Sequence, residues 1–235
     1  MPDKNSDTLP RADDYLAMMI ANDWLDMGYS AIVDHISRLH LSGGRILDLG
    51  CGPGIFTHYL GKVFAADVVG IDPSQDMIDT AIREYAHDRV QFIFGETSEV
   101  LKPFAKTFDV VVSCFVLMHL PHHDSHQILA KSAFTSLRSG GTAIFLDMNP
   151  ASVGIQFASV RNGEPNQNYS PGDKMLTTVK TPGGTINVYD RFWPADHYLT
   201  SVRQAGFSAV EAFTLPPPPY DKTEADQFCL FIAEK

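Results

Sequence analysis

Arg45-Ile46-Leu47-Asp48-Leu49-Gly50-Cys51-Gly52-Pro53-Gly54-Ile55-Phe56-Thr57 reads as a strand, a glycine turn and the start of a helix. Ile46, Leu47 and Leu49 form the short apolar run of a strand buried on both faces, and Asp48 is its one charge. Glycines at 50, 52 and 54 let backbone approach a ligand closely and hand it to the N–H groups that open the next helix. The dinucleotide fingerprint G-x-G-x-x-G would need a glycine at 55, where Ile55 stands, which disfavours a nicotinamide cofactor.

Working outward, a helix over 55–64 and a second buried strand over 67–72 follow. Asp72 lies 22 residues past Gly50. A carboxylate at such a strand end can accept hydrogen bonds from two ribose hydroxyls, or it can cap the helix that starts near Ser74. That helix runs to about residue 87, a third strand covers 90–94, and Gly95-Glu96-Thr97 closes it. The strand over 108–115 is the most hydrophobic; Asp109 begins it, at the end of the sheet away from a ligand, and has a structural role. Cys114 to His119 leave it at the ligand end, where the crevice of an open parallel sheet lies. His119 can line a pocket, act as a base, or be held by backbone hydrogen bonds. A helix over 124–138, ended by Ser139-Gly140-Gly141, precedes a fifth strand over 142–147, so that Asp72, Cys114 and Asp147 converge on one edge of one sheet.

Two motifs now coincide, and they resemble those of the class I S-adenosylmethionine (SAM) dependent methyltransferases. Leu47-Asp48-Leu49-Gly50-Cys51-Gly52-Pro53-Gly54 is similar to motif I of that family, and Leu137-Arg138-Ser139-Gly140-Gly141 to its Leu-Lys-Pro-Gly-Gly, with Ser139 in the proline place. The resemblance implies an α/β, Rossmann-like, seven-stranded, mostly parallel sheet with helices on both faces and the last strand antiparallel. It also implies SAM contacts at Asp48, Gly50, Cys51, Gly52, Asp72, Pro73, Met77, Glu96, Thr97, Cys114 and His119. Asp48 would hold the amino group, Asp72 the ribose, and Glu96 with Thr97 the adenine.

The remaining chain is organised around this unit. Residues 1–14 are polar and broken by prolines, and apolar residues at helical spacing, including Met19, Trp24, Ile32 and Ile36, predict two helices over 13–40 with a break at Gly28. Residues 1–42 are thus an N-terminal helical cap on a single domain spanning 1–235. From 149 to 194 the alternation of strand and helix stops. This insertion contains two strands flanking Pro182-Gly183-Gly184, the pattern of a β-hairpin. A helix from Pro194, a strand over 207–215, a stiff Pro216 to Pro219 connection and a strand over 227–233 complete the chain. Substrate contacts are expected where the cofactor fold is not used: Tyr15 and Tyr29 in the cap, Tyr169, Tyr189, Arg191, Phe192 and Trp193 in the insertion, and Asp147 at the sheet edge. The insertion aromatics can instead form the hairpin's own small core.

The 28 acidic against 18 basic residues give a net charge of −10, which disfavours a nucleic-acid partner. The fourth strand is followed by Ser113-Cys114-Phe115-Val116 and not by the Asn/Asp-Pro-Pro-aromatic of amino methyltransferases of nucleic acids. No apolar run of membrane-spanning length or signal peptide occurs, so a cytoplasmic protein, monomer or homodimer, is expected with its three cysteines reduced. His122, His123, Asp124 and His126 sit at a helix start; neighbouring histidines there do not share a face, and no metal is expected.

The expected activity is transfer of a methyl from SAM to an N or O atom of a small aromatic or heteroaromatic metabolite, with His119 as general base. Tyr189-Asp190-Arg191-Phe192-Trp193-Pro194, then Tyr198 and Gly206-Phe207, resemble bacterial N-methyltransferases of heteroaromatic natural products, which places the reaction in secondary metabolism. A protein or peptide methyltransferase, and a SAM-binding protein without transfer, remain alternatives.

Overall fold

The computed structural model describes residues 10–22, 28–41 and 43–235; Trp24 lies outside them. Helices α1 (Ala12–Ala21) and α2 (Tyr29–Arg38) precede β1 (Arg45–Leu49), α3 (Ile55–Phe64), β2 (Asp67–Asp72), α4 (Gln75–Tyr85) and β3 (Val90–Phe94). The single turn α5 (Thr97–Val100), β4 (Phe108–Cys114), α6 (His123–Ser136) and β5 (Leu137–Met148) follow. The strand order β3-β2-β1-β4-β5 is parallel throughout. Two further strands, β9 (Ala209–Leu215) and β10 (Phe228–Glu234), complete a seven-stranded sheet, with β10 wedged antiparallel between β5 and β9.

Period-two alternation divides β1 between two cores. Ile46 packs with Ile32, Ile36, Phe56 and Leu60 of α2 and α3 on one face. Leu47 and Leu49 pack with Leu129, Ala133, Tyr198 and Val202 on the other, the last two from α7 (Ala195–Gln204). Asp48 shares the face of Ile46, and so it points at α3 from within an apolar layer. At the far end of the sheet Asp109 accepts the Arg45 backbone N–H at 2.7 Å and pairs with Arg138, tying β1, β4 and β5 together there.

Two local expectations change. Leu137 to Gly141 do not end a helix; they open β5, because Leu137 pairs with Phe108 across a bulge and Lys235 bonds both Gly140 and Gly141 from the neighbouring strand. The insertion carries three strands instead of two. Its hairpin, β7 (Lys174–Thr181) and β8 (Gly184–Arg191), is joined by the short β6 (Val160–Asn162) in a separate antiparallel sheet. The inner face of that sheet alternates Val160, Met175, Val179 and Val188 with the polar Asn162, Thr177 and Asp190, all buried.

Candidate active site

The glycine turn is built by hydrogen bonds from the end of β2. Gly50 and Cys51 donate their N–H groups to the Ile71 carbonyl at 2.8 and 3.1 Å, and Gly52 donates to Asp72 Oδ2 at 2.9 Å. Gly50, Gly52 and Gly54 all hold positive φ, at 75°, 52° and 87°, a region in which only glycine is unstrained. A Cβ on Gly50 would collide with the Val116 side chain, whereas one on Gly52 would meet nothing, since that glycine faces open space.

That space is a cavity of about 360 Å³ at the carboxyl ends of β1, β2 and β4, within the range of small-molecule and cofactor pockets. Asp48, Gly50, Cys51, Gly52, Asp72, Pro73, Met77, Cys114 and His119 line it, as do Tyr15, Tyr29, Tyr189 and Arg191. Phe56, Phe115, Leu120 and Pro121, which the sequence did not single out, add apolar wall.

Two carboxylates dominate the glycine end. Asp48 is 2% exposed and accepts from the Thr57 hydroxyl at 2.7 Å. Burial pushes its pKa up to about 7, with the Asp72 charge adding and the Thr57 hydrogen bond opposing. Asp72 is also raised by burial, partly offset by the N–H groups of Ser74 and Gly52. Buried carboxylates facing an opening seek a cation or hydroxyl donors. This donor set fits a ligand with a cationic amino acid end and a ribose.

The other sequence candidates fall elsewhere. Glu96 is exposed as the residue that opens α5, and neither it nor Thr97 lines the cavity, although the Glu96 charge reaches Asp72. The Tyr169 hydroxyl accepts the Glu164 N–H at 2.9 Å and its ring leans on Phe192, inside the insertion. Trp193 is buried on the far side of the 117–121 turn; its indole N–H donates to the Leu120 carbonyl at 3.1 Å and its ring stacks on His197. Asp147 is fully buried beneath the site. It accepts the N–H groups of Met118 and Met148, and burial pushes its pKa up to about 7. Among the described residues no three His, Cys, Asp or Glu side chains are grouped to hold a metal ion.

A second, smaller chamber of about 50 Å³ adjoins the first and shares Tyr15, Met19, Tyr29, Phe115 and His119 with it. Its own wall is Met18, Met118, Met148, Val160, Val179 and Val188, with Asn162, Thr177 and Asp190 as its polar part. His119 therefore stands at the junction. Its Nδ1 lies 2.9 Å from Asp190 Oδ1. Burial by itself lowers the His119 pKa, but Asp190, Asp147 and Asp72 outweigh it and the net shift is upward. Asp190, which the sequence reading did not single out, shares the inward face of β8 with Val188.

Comparison with known proteins agrees with this geometry. The family described as "Methyltransferase domain" matches residues 46–141. The N-demethylindolmycin N-methyltransferase of Streptomyces griseus is 34% identical over 227 residues, covering 95% of this chain and 96% of that one. A mitochondrial ubiquinone biosynthesis O-methyltransferase of Mus musculus is 33% identical over 50% of this chain and 33% of its own length. Among solved structures, Streptomyces venezuelae DesVI superposes with a TM-score of 0.66 at 18% identity, covering 96% of this chain and 98% of that one. A SAM-dependent methyltransferase from Clostridium acetobutylicum gives 0.63 at 14% identity and 91% of both chains. With the seven-stranded sheet, the glycine turn and a near full-length relative of this kind, the chain belongs to the SAM-dependent methyltransferases, and S-adenosylmethionine is its methyl donor.

Proposed function

We propose that the enzyme methylates a nitrogen of a small, flat, largely apolar metabolite, a heteroaromatic amine or amide, seated where the two cavities meet. The observation that carries this reading is the continuity of the cavity at the glycine turn with a chamber walled by methionines and valines, with His119 at the junction. An apolar wall with a few placed polar groups is the usual form of a small-molecule site. The near full-length relative supports nitrogen as the atom, since its name specifies N-methylation of a demethylated indolmycin.

SAM supplies a methyl group on a positively charged sulfur. Asp48 and Asp72 complement the donor's amino and ribose groups at the glycine end. Tyr15, Tyr29 and Phe115 line both cavities and exclude water from the space between donor and acceptor. Holding the two reactants aligned is worth several kcal/mol by proximity alone. An N–H acceptor becomes positively charged as it is methylated, and His119 takes the proton it sheds, for which imidazole has a suitable pKa.

Incubation with SAM and a panel comprising N-demethylindolmycin, other N–H heteroaromatics, catechols and basic peptides, followed by mass spectrometry, tests the reading. A methyl on nitrogen of a heteroaromatic is expected. Methylation confined to the catechol oxygens or to the peptides would overturn it.

A further inference from the structure

Asp190 lies on the inner face of β8 with no exposed surface. Its Oδ2 accepts from the Thr177 hydroxyl and, at 3.3 Å, from the Asn162 amide, so β6 and β7 both hold it in place. Its Oδ1 stands 2.9 Å from His119 Nδ1. A buried carboxylate without a charged partner costs several kcal/mol, and two neutral donors on one oxygen offset only part of that. The imidazole is the cation-forming group at the other oxygen. His119 Nδ1 and Asp190 Oδ1 are both shut off from solvent, and neither has a better-aligned hydrogen-bond partner than the other, while the His119 side chain keeps 20% of its surface exposed and lines both cavities.

We propose that Asp190 is a positioning residue: it holds the His119 imidazole with the Nδ1 proton turned to the inserted sheet, leaving Nε2 as the nitrogen that receives the acceptor's proton. The inference rests on the proton transfer proposed above and adds a reason for the insertion's polar core. A carboxylate behind an imidazole fixes one tautomer and stabilises the imidazolium that forms on proton uptake. The acceptor's N–H proton ends on Nε2, and the resulting positive ring faces the Asp190 carboxylate. Other charged groups also face this ring: Asp147 from the end of β5 and Asp72 from the end of β2. Tyr15 of α1 and Tyr29 of α2 border both cavities, and Tyr189 and Arg191 of β8 border the larger one. Burial raises the pKa of both Tyr15 and Tyr29, so they stay neutral over the working range.

The test is nitrogen-15 NMR of the full chain saturated with S-adenosylhomocysteine, with the His119 signal assigned by its loss in His119→Gln. The neutral ring of the wild type should be protonated on Nδ1, and Asp190→Asn should lower the His119 pKa by about one unit or more. With N-demethylindolmycin or another acceptor found active, Asp190→Asn should cut kcat about tenfold or more, move the acidic limb of the pH profile down with the measured pKa, and leave KM for SAM within about twofold. An Nε2-protonated ring in the wild type would overturn the proposal, and this reading stands even if Asp190→Asn fails to fold. So would an unchanged His119 pKa in folded Asp190→Asn. The tautomer measurement needs no acceptor, so failure of the acceptor panel leaves it intact; full turnover by His119→Gln would remove the proton transfer, and with it the role of Asp190.

Discussion

Asp72 accepts the backbone N–H of Gly52 through Oδ2 at 2.9 Å, while its Oδ1 accepts that of Ser74 at the same distance. One carboxylate thereby clamps the turn after β1 to the segment that leads into the helix after β2. Ser74, not Asp72, occupies the N-cap of α4 and accepts from the Met77 N–H. The remaining lone pairs of Asp72 are open to the cavity. Asp72→Ala should weaken SAM binding by about 1–3 kcal/mol through loss of the charge-assisted hydrogen bonds. Titration calorimetry reads this directly, and an unchanged affinity would remove Asp72 from the donor site.

Asp48 should make donor binding depend on pH. Its carboxyl is held near 7 in the free protein, and a cationic ligand favours the ionised form. Below that pH the proton must leave before the cation is accommodated, so affinity rises with pH and levels off above about 7, with a slope of up to about tenfold per pH unit on the acid side. Calorimetry from pH 5.5 to 8.5 without acceptor should show this slope in the wild type and a much flatter profile in Asp48→Asn. In the absence of donor the same group acts on stability with the opposite sense. Between its unfolded value of 3.8 and about 7 the folded state holds a proton that the unfolded chain has lost, so its contribution is present in acid and lost as pH rises through 7.

What could be read in the chain follows from how local each determinant is. Ile46, Leu47 and Leu49 announce a doubly covered strand, the positive φ demanded at residues 50, 52 and 54 announces itself as glycine, and Asp72 is placed by strand length alone. Where a side chain points beyond a turn is a tertiary matter. Glu96 has the right chain position, but Gly95 at φ 141° precedes it and the carboxylate stands in solvent. Trp193 looks like a wall of the substrate site because an aromatic in an insertion carries no mark of which side it faces; the stacking partner His197 and the Leu120 carbonyl decide that it faces away. Asp190 was hidden for the converse reason. A charged residue in a hairpin reads as solvated, and only the partners Thr177, Asn162 and His119, distant in sequence, make its burial tolerable.

Gly50→Ala tests the tight approach of the turn to β4. An alanine at φ 75° costs about 1–2 kcal/mol in backbone strain, and its Cβ would press on the Val116 side chain at the cavity wall. Urea unfolding should show a loss of about 2–4 kcal/mol, together with weaker SAM binding as Val116 is driven into the cavity. Adding Val116→Ala should restore only the steric part. Effects of the two substitutions that simply add would show that these groups do not touch.

Trp193 should separate stability from substrate recognition. It is 6% exposed, and its ring lies 4.5 Å from His197 and 5.0 Å from His126, the latter fully buried and donating its Nε2–H to the Leu117 carbonyl at 2.9 Å. This cluster supports the 117–121 turn from behind, while Tyr189 and Arg191 meet the cavity in front. Trp193→Ala opens a large void and should cost about 3–5 kcal/mol, whereas Trp193→Phe loses the bond to Leu120 and should cost about 1–3 kcal/mol. The Phe variant, if folded at the assay temperature, should keep KM for the acceptor within about twofold, since no contact with substrate has gone. Arg191→Ala removes a side chain that lines the cavity and bonds the Gly172 carbonyl, and should raise that KM. A rise in acceptor KM in Trp193→Phe at unchanged stability would return the indole to the substrate site.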